Sequence, residues 1–343
     1  MKFGIVFGAQ SYEHEVSIIS AIAVKNALKG WDLEFVFCDK NRKFYRIEDK
    51  NMRAAYFKQG GYAKAKELSI AAGGFFESGM FSKSMLEVGT YINLIHGCDG
   101  EDGKMAALFE FFGIPYIGPR IEASVLSYNK ILTKHLAAIA NVKTLPYEIV
   151  NRTSLPNFNF PIIVKPAHLG SSIGISIAKN ESEFSYALDQ AFELDDSTIV
   201  EPYWENVKEF NLAGAKIDGK IVFSNIEEPK KDGYLNFDRK YLDFSRSGAI
   251  EPARPGALLE GKMKDAFTRL YNAGSFDGAL IRCDFFEKEG EIYLNEINPN
   301  PGSLANYLFD DFSEVLAALA SSLPPMRQIP VSYELITKIT ANK

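Results

Sequence analysis

The sequence predicts a mixed α/β and α+β protein, in which a doubly wound N-terminal unit precedes two units built largely on antiparallel strand pairs. Three observations carry this. Apolar, β-rich segments at 3–7, 33–38 and 91–95 alternate with helix-like segments at 16–28 and 104–112. Segments 209–217 and 220–226 are parted only by Asp218-Gly219, a two-residue hairpin signal. A further hairpin joins 279–287 to 291–297.

Taken in order, the first unit spans 1–118, and its stretch 51–86, rich in Gly, Ala and aromatics, is expected to be a helical or irregular insertion. The second, 119–204, has a helix at 128–140, strands at 162–165, 174–177 and 198–201, and a helix at 181–192. The third, 205–343, holds both hairpins and a helix at 262–274; its aperiodic stretch 228–255 is long enough to be a lid. No internal repeat is evident, and 343 residues suffice for two or three ordinary cores.

Composition narrows the function classes. Hydrophobic residues make up 46% and charged residues 24%, and 38 Lys+Arg against 44 Asp+Glu leave a net charge of −6. Such a surface has no general attraction for nucleic acid or anionic lipid, so an anionic ligand must be captured by a few placed residues. No apolar run approaches the ~18 residues of a membrane helix, and the start offers no signal-peptide core before Glu13 and Glu15. Cys38, Cys98 and Cys283 are odd in number and lie in or beside apolar runs, as thiols of a reducing compartment do. The expected location is the cytoplasm.

The hairpin 279–297 is the most informative segment. A three-residue loop at 288–290 would pair Glu287 with Glu291, Asp284 with Leu294 and Arg282 with Glu296. Arg282, Asp284, Glu296 and Asn298 then project on one side: three oxygen donors suited to a hard cation such as Mg²⁺, beside one guanidinium. A surface face with cross-strand pairing has the same pattern. Lys165 ends an apolar strand before Pro166, which presents its ammonium at a sheet end as a phosphate contact. The following H-L-G-S-S-I-G offers backbone N–H groups and two hydroxyls, Ser171 and Ser172, around phosphate oxygens. Its spacing is not that of a P-loop, and the strand after it points to a flap; Gly and Ser also gather in any hairpin turn. Glu201, Tyr203 and Trp204 could line a nucleobase or simply fill a core. Glu13 and Glu15 precede a helix, where acids are favoured whatever the function, and His96 lacks the partners of a zinc site.

In their order along the chain, E-H-E-V-S, H-G-C-D-G-E-D-G, V-K-P-A-H-L-G-S-S-I-G, K-Y-L, R-C-D and E-I-N-P-N-P-G resemble the D-alanine:D-alanine ligases of the ATP-grasp superfamily. Six ordered motifs are far more specific than any one, and the likeness spans nearly the whole chain outside 51–86. The resemblance implies an ATP-grasp fold of three domains led by a preATP-grasp domain, and two substrates, ATP and D-alanine. It implies that Lys130, Lys165, Ser171 and Ser172 meet phosphates, that Glu201, Tyr203, Trp204 and Glu209 surround adenine and ribose, and that Asp284, Glu296 and Asn298 hold two Mg²⁺, with Mn²⁺ as an alternative. It also implies that Glu13, grouped with Ser171 and Tyr241 and near His96, orients the first D-alanine. Lys240 and Tyr241 would ride on the lid, Arg282 and the Gly302 N–H would stabilise the oxyanion, and Ser303 would adjoin the second substrate. A homodimer is a further expectation of the family.

Two departures stand out: P-G-S-L-A-N-Y places Leu304 and Tyr307 where the family usually has Thr and Ser, and Leu169 replaces a frequent acid. Competing possibilities are a ligase with another second substrate, such as D-lactate, and a non-catalytic ATP-binding module. A nicotinamide dehydrogenase is disfavoured, because the first strand is not followed by G-x-G-x-x-G.

Overall fold

The computed structural model describes residues 2–79, 83–229, 251–327 and 329–341. Its first sheet has eight strands, β1 (Phe3–Gly8), β2 (Leu33–Cys38), β3 (Phe44–Ile47), β4 (Lys66–Ala71), β5 (Gly74–Ser78), β6 (Lys83–Met85), β7 (Thr90–Asn93) and β8 (Tyr116–Ile117). They lie in the order β6-β5-β4-β3-β2-β1-β7-β8. β1 runs parallel to β2 and β7, and every residue of β1 is buried because both its faces are covered. Alternation sorts its side chains: Phe3, Ile5 and Phe7 join helix α1 (His14–Ala27) on one side, while Val6 faces Met105 and Phe109 on the other.

The insertion expected at 51–86 is different from the expectation. It contains the short helix α2 (Ala54–Lys58), but its remainder supplies β4, β5 and β6, an antiparallel meander that widens the sheet. The strands are short and irregularly patterned, with Leu68 and Phe75 buried, Phe76 on the other face of β5, and β6 wholly exposed, so neither period showed clearly in the sequence. On the same face as Leu68 and Phe75, Arg46 of β3 ties Glu34 of β2 (2.8 Å) to Glu77 of β5 (2.7 Å). Helix α3 (Lys104–Phe111) completes this unit.

The helix expected at 128–140 is broken. α4 (Ile121–Tyr128) stops at Asn129, whose extended backbone and side chain cap α5 (Lys130–Ile139) by accepting from the Ile131 N–H at 2.8 Å. The break makes Lys130 the first residue of α5. A second sheet follows, with β9 (Glu148–Val150), β10 (Ile162–Pro166), β11 (Ser176–Ala178) and β12 (Thr198–Pro202) antiparallel in the order β11-β10-β12-β9. α6 (Glu181–Leu194) buries Phe184, Ala187, Leu188 and Ala191 against it.

The third sheet joins β13 (Lys208–Ile217), β14 (Lys220–Glu227), β15 (Leu280–Lys288) and β16 (Glu291–Asn298) in the order β14-β13-β15-β16. α7 (Ala257–Ala273) packs Met263, Phe267 and Leu270 on its inner face. The β13–β14 turn is as expected, with Asp218 and Gly219 both at positive φ. The β15–β16 register is not. Glu289 and Gly290, at φ 55° and 77°, form a two-residue turn that pairs Lys288 with Glu291. A bulge after Asp284 leaves Asn295 unpaired, so Asp284 faces Glu296 and Arg282 faces Asn298. The shared face survives the correction, because the bulge restores the phase that the shorter turn would have shifted.

Residues 302–308 form a tight turn, followed by α8 (Phe312–Ser321) and the exposed helix α9 (Glu334–Ala341). Most of the lid expected at 228–255, with Lys240 and Tyr241, lies outside the described residues. Among the described residues no helix is long and apolar enough to cross a membrane.

Candidate active site

Glu13 sits at the start of α1 and is 7% exposed. Ser171, from the loop between β10 and β11, donates to Glu13 Oε1 at 2.5 Å and so ties the first unit to the flap of the second. Two glycines press on this carboxylate: a Cβ on Gly97 would lie 2.6 Å from Glu13 Oε2, and one on Gly170 would lie 2.9 Å from Oε1. Burial, reinforced by Glu101, raises the Glu13 carboxyl from 4.5 to about 7, against the opposing pull of Ser171, His96 and Lys130. Glu101 is raised further, to about 8, by burial and by Glu296 across the site.

His96 is buried near the start of the loop that follows β7. Its Nε2 lies 2.8 Å from Ser20 Oγ and its Nδ1 lies 3.5 Å from Glu101 Oε1. Burial holds the ring near pKa 4, hence neutral at physiological pH.

The cationic wall comes from α5 and β10. Lys130 Nζ donates to the Leu169 carbonyl, and burial lowers its pKa despite Glu296 and Glu13 nearby. Lys165 Nζ lies 2.6 Å from Glu201 Oε2 and donates to Asn295 Oδ1 at 3.2 Å. Lys134 binds the other Glu201 oxygen. Burial opposes ionisation of Glu201, but the two ammonium groups outweigh it and hold the carboxyl below its ordinary range. Ser171 and Ser172 occupy left-handed backbone at φ 51° and 60°, which curls the flap over Glu13 and Lys130. Trp204 packs edge-on to Tyr293 at 4.9 Å, with Lys288 Nζ 4.3 Å from its ring centroid; Tyr203 and Glu209 lie beside it on β12's exit and on β13.

On the third sheet, Arg282 clasps Asp284 with two bonds, Nε to Oδ1 at 2.7 Å and Nη2 to Oδ2 at 2.8 Å. Asn298 Nδ2 also donates to Asp284 Oδ2, at 3.0 Å. Burial, with Glu296 and Glu209, lifts Asp284 to about 7 in spite of the arginine. Asn211 pairs with Asp284 across β13 and β15; its Nδ2 is fixed on Glu227 (3.0 Å), while its buried Oδ1 has no hydrogen-bond partner. Asp284, Glu296 and Asn298, with this orphaned oxygen beside them, form an oxygen-only set that fits a hard divalent cation.

The turn after β16 carries Gly302 and Ser303. Ser303, Leu304 and Ala305 are all left-handed (φ 51°, 51° and 49°), and the Ser303 N–H donates to Ser20 Oγ at 3.1 Å. Leu304 is a core residue packed with α1. Tyr307 stands near Arg282, its hydroxyl 3.5 Å from Glu227 Oε2.

A family model for the D-Ala–D-Ala ligase N-terminus matches residues 2–119, and one for the C-terminus of the same ligases matches residues 136–315. The chain belongs to the D-alanine–D-alanine ligase family. It is 56% identical to the D-alanine–D-alanine ligase of Campylobacter concisus over 343 residues, covering 100% of this chain and 99% of that one. It is 51% identical to the enzyme of that name from Wolinella succinogenes, with 100% of this chain and 99% of that one covered. The crystal structure of D-alanine–D-alanine ligase from Helicobacter pylori superposes with a TM-score of 0.85 at 48% identity, covering 94% of this chain and 99% of that one. The family relation confirms the ATP-grasp architecture expected from the motifs.

Within this ligase the structure brings Glu13, His96, Lys130 and Ser171 together, and Glu296 interacts electrostatically with Lys130 and Glu101. Four residues escaped the sequence. Lys134 stands one helical turn beyond Lys130, a spacing that could have flagged it. Glu101 lay inside a quoted motif but looked like an ordinary helix-start acid. Ser20 and Asn295 carried no signal, since the first depends on a distant turn and the second on a bulge.

Proposed function

We infer that this ligase joins two molecules of D-alanine at the expense of ATP, giving D-alanyl-D-alanine, ADP and phosphate for peptidoglycan precursor synthesis. The observation that carries this is the full-length identity of 56% to a D-alanine–D-alanine ligase, in a chain that carries six motifs in the order of that family. Lys130 and Lys165 are suited to the triphosphate beneath the Ser171-Ser172 flap, and Trp204, Tyr203, Glu201 and Glu209 to the nucleoside end. In the described structure both Glu201 oxygens are taken by lysines, so nucleotide entry would draw Lys165 toward phosphate and leave Lys134 as the carboxylate's partner.

Glu13 is suited to the ammonium of the first D-alanine, whose carboxylate attacks the γ-phosphorus to form an acyl phosphate. Asp284, Glu296 and Asn298 would hold Mg²⁺, which supplies the charge neutralisation that attack on a polyanion needs. The amine of the second D-alanine then adds to the acyl carbon. Arg282 and the Gly302 N–H stabilise the oxyanion, and phosphate leaves. A lid carrying Lys240 and Tyr241 would exclude water from the acyl phosphate. The metal-ligand set and the oxyanion arginine, whose loss would mark a silent nucleotide module, are present, and the Lys240-Tyr241 pair resembles that of the dipeptide-forming type rather than of a D-lactate ligase. The proposal extends to a cytoplasmic homodimer, which sedimentation of the purified protein tests.

The deciding experiment is ADP and product analysis with ATP, Mg²⁺ and a panel of D- and L-amino acids and D-hydroxy acids. D-Alanine alone should sustain turnover, with D-alanyl-D-alanine as product. A depsipeptide formed in preference, or silence across the panel, would overturn the assignment.

A further inference from the structure

The turn that carries Gly302 is strained and is held from outside its own unit. Three consecutive non-glycine residues, Ser303, Leu304 and Ala305, adopt left-handed backbone, a conformation that costs roughly 1–2 kcal/mol per residue. Only surroundings that over-determine the turn can hold it there. Part of the restraint is apolar, since Leu304, Ala305 and Leu308 pack into the same cluster as Ile18, Ala21 and Val24 of α1.

The polar restraint is more specific. Ser20 Oγ, on α1, accepts the Ser303 N–H at 3.1 Å and lies 2.8 Å from His96 Nε2. His96 in turn hydrogen-bonds the Asn300 backbone, and Asn300 Nδ2 donates to the Ile95 carbonyl at 3.2 Å. Ser20 is fully buried. The first unit therefore grips the turn on both sides of Gly302, at residue 300 through Ile95 and His96 and at residue 303 through Ser20. With its lone pair facing the Ser303 N–H, Ser20 has its own proton free to donate to His96 Nε2. Nδ1 then carries the ring proton on the side of Asn300 and Glu101, so one hydroxyl sets both the turn and the histidine tautomer.

We propose that Ser20 is a positioning residue for the second half of the reaction: it fixes the Gly302-Ser303 backbone, and with it the donor to the oxyanion formed when the second D-alanine attacks. This rests on the ligase function above and on the role there of the Gly302 N–H. Ser20 Oγ bonds Ser303 and His96 rather than Lys130, Lys165 or the Ser171-Ser172 flap, and His96 stays neutral in either tautomer, so formation of the acyl phosphate should be little affected.

The test separates the two halves. Reversible acyl phosphate formation is read as D-alanine-dependent scrambling of ¹⁸O between the β,γ-bridge and non-bridge positions of ATP, and the second half as dipeptide formation in the same samples. In Ser20→Ala the scrambling rate should stay within about twofold of wild type while dipeptide formation falls about tenfold, the worth of one hydrogen bond. Ser20→Cys, of similar size but a weak acceptor, should give an intermediate ratio of dipeptide to scrambling, and it carries the test should the alanine variant fail to fold. A general structural role would lower both rates in parallel, and that result, or an unchanged ratio, overturns the inference. Absence of both scrambling and dipeptide in the wild type would instead overturn the ligase function.

Discussion

Glu101→Gln should stabilise the metal-free protein progressively as pH rises above about 4.5, and most above about 8. The carboxyl of Glu101 is raised from 4.5 to about 8 by burial and by Glu296. Its folded-state pKa lies above its unfolded value, so below pH 4.5 both states are protonated and no penalty exists. As pH climbs from 4.5 to 8 the unfolded chain ionises first and stability falls, and above 8 the loss is complete. A shift from 4.5 to about 8 corresponds to roughly 5 kcal/mol at ~1.36 kcal/mol per unit. Glu13 shares the same field and the Glu101 side chain is 14% exposed, so ~2–3 kcal/mol is expected for Glu101 alone. Glutamine keeps the shape without the charge. At ~2 °C per kcal/mol the variant should melt about 4–6 °C above wild type at pH 9, and level with it or lower at pH 4.5. Thermal melts with a chelator present, at five or six pH values, measure the gap. A gap independent of pH, or a variant less stable than wild type at pH 9, would refute the assignment of Glu101 as a buried and charge-penalised acid.

Three other perturbations address the site. Arg282→Ala removes the two bonds to Asp284 and the guanidinium proposed to face the oxyanion, and steady-state kinetics should show kcat lower by about 10²-fold or more; near-normal kcat counts against that role. Gly97→Ala strains a φ of +68° and puts a methyl 2.6 Å from Glu13 Oε2, so the KM of the first D-alanine should rise about tenfold or more while affinity for nucleotide is kept. Lys165→Met leaves Glu201 paired with Lys134, so the protein should fold, yet calorimetry should show nucleotide affinity down about 10²-fold; an unchanged Kd would remove Lys165 from the phosphate site.

Much of this was legible because the chemistry sits at strand ends and in tight turns, where residue type is dictated locally. Lys165 before Pro166, the glycines of the flap and the facing acids of β15 and β16 all announce themselves by spacing. The exact strand pairing did not, because a shorter turn and a compensating bulge cannot be separated by period-2 alternation alone. The meander at 66–85 stayed hidden because its strands are short and irregularly patterned, β6 being exposed throughout. The break at Asn129 was missed because helical periodicity continues through it, although Asn is a natural cap and the break is what sets Lys130 at a helix start. Long-range partners lay beyond local reading altogether. Nothing near Ser20 in sequence predicts the Ser303 N–H, and nothing near Glu201 predicts its two lysines.

For the proposed reaction, nucleotide phosphates must lie between the Ser171-Ser172 flap and the Asp284–Glu296–Asn298 face. Crystals grown with D-alanine, Mn²⁺ and a non-hydrolysable ATP analogue test this most directly, through the anomalous signal of the metal. The expected result is manganese bound by Asp284, Glu296 and Asn298, with the terminal phosphates reaching Lys130 and Lys165. Manganese elsewhere, or phosphates that bypass both lysines, would contradict it.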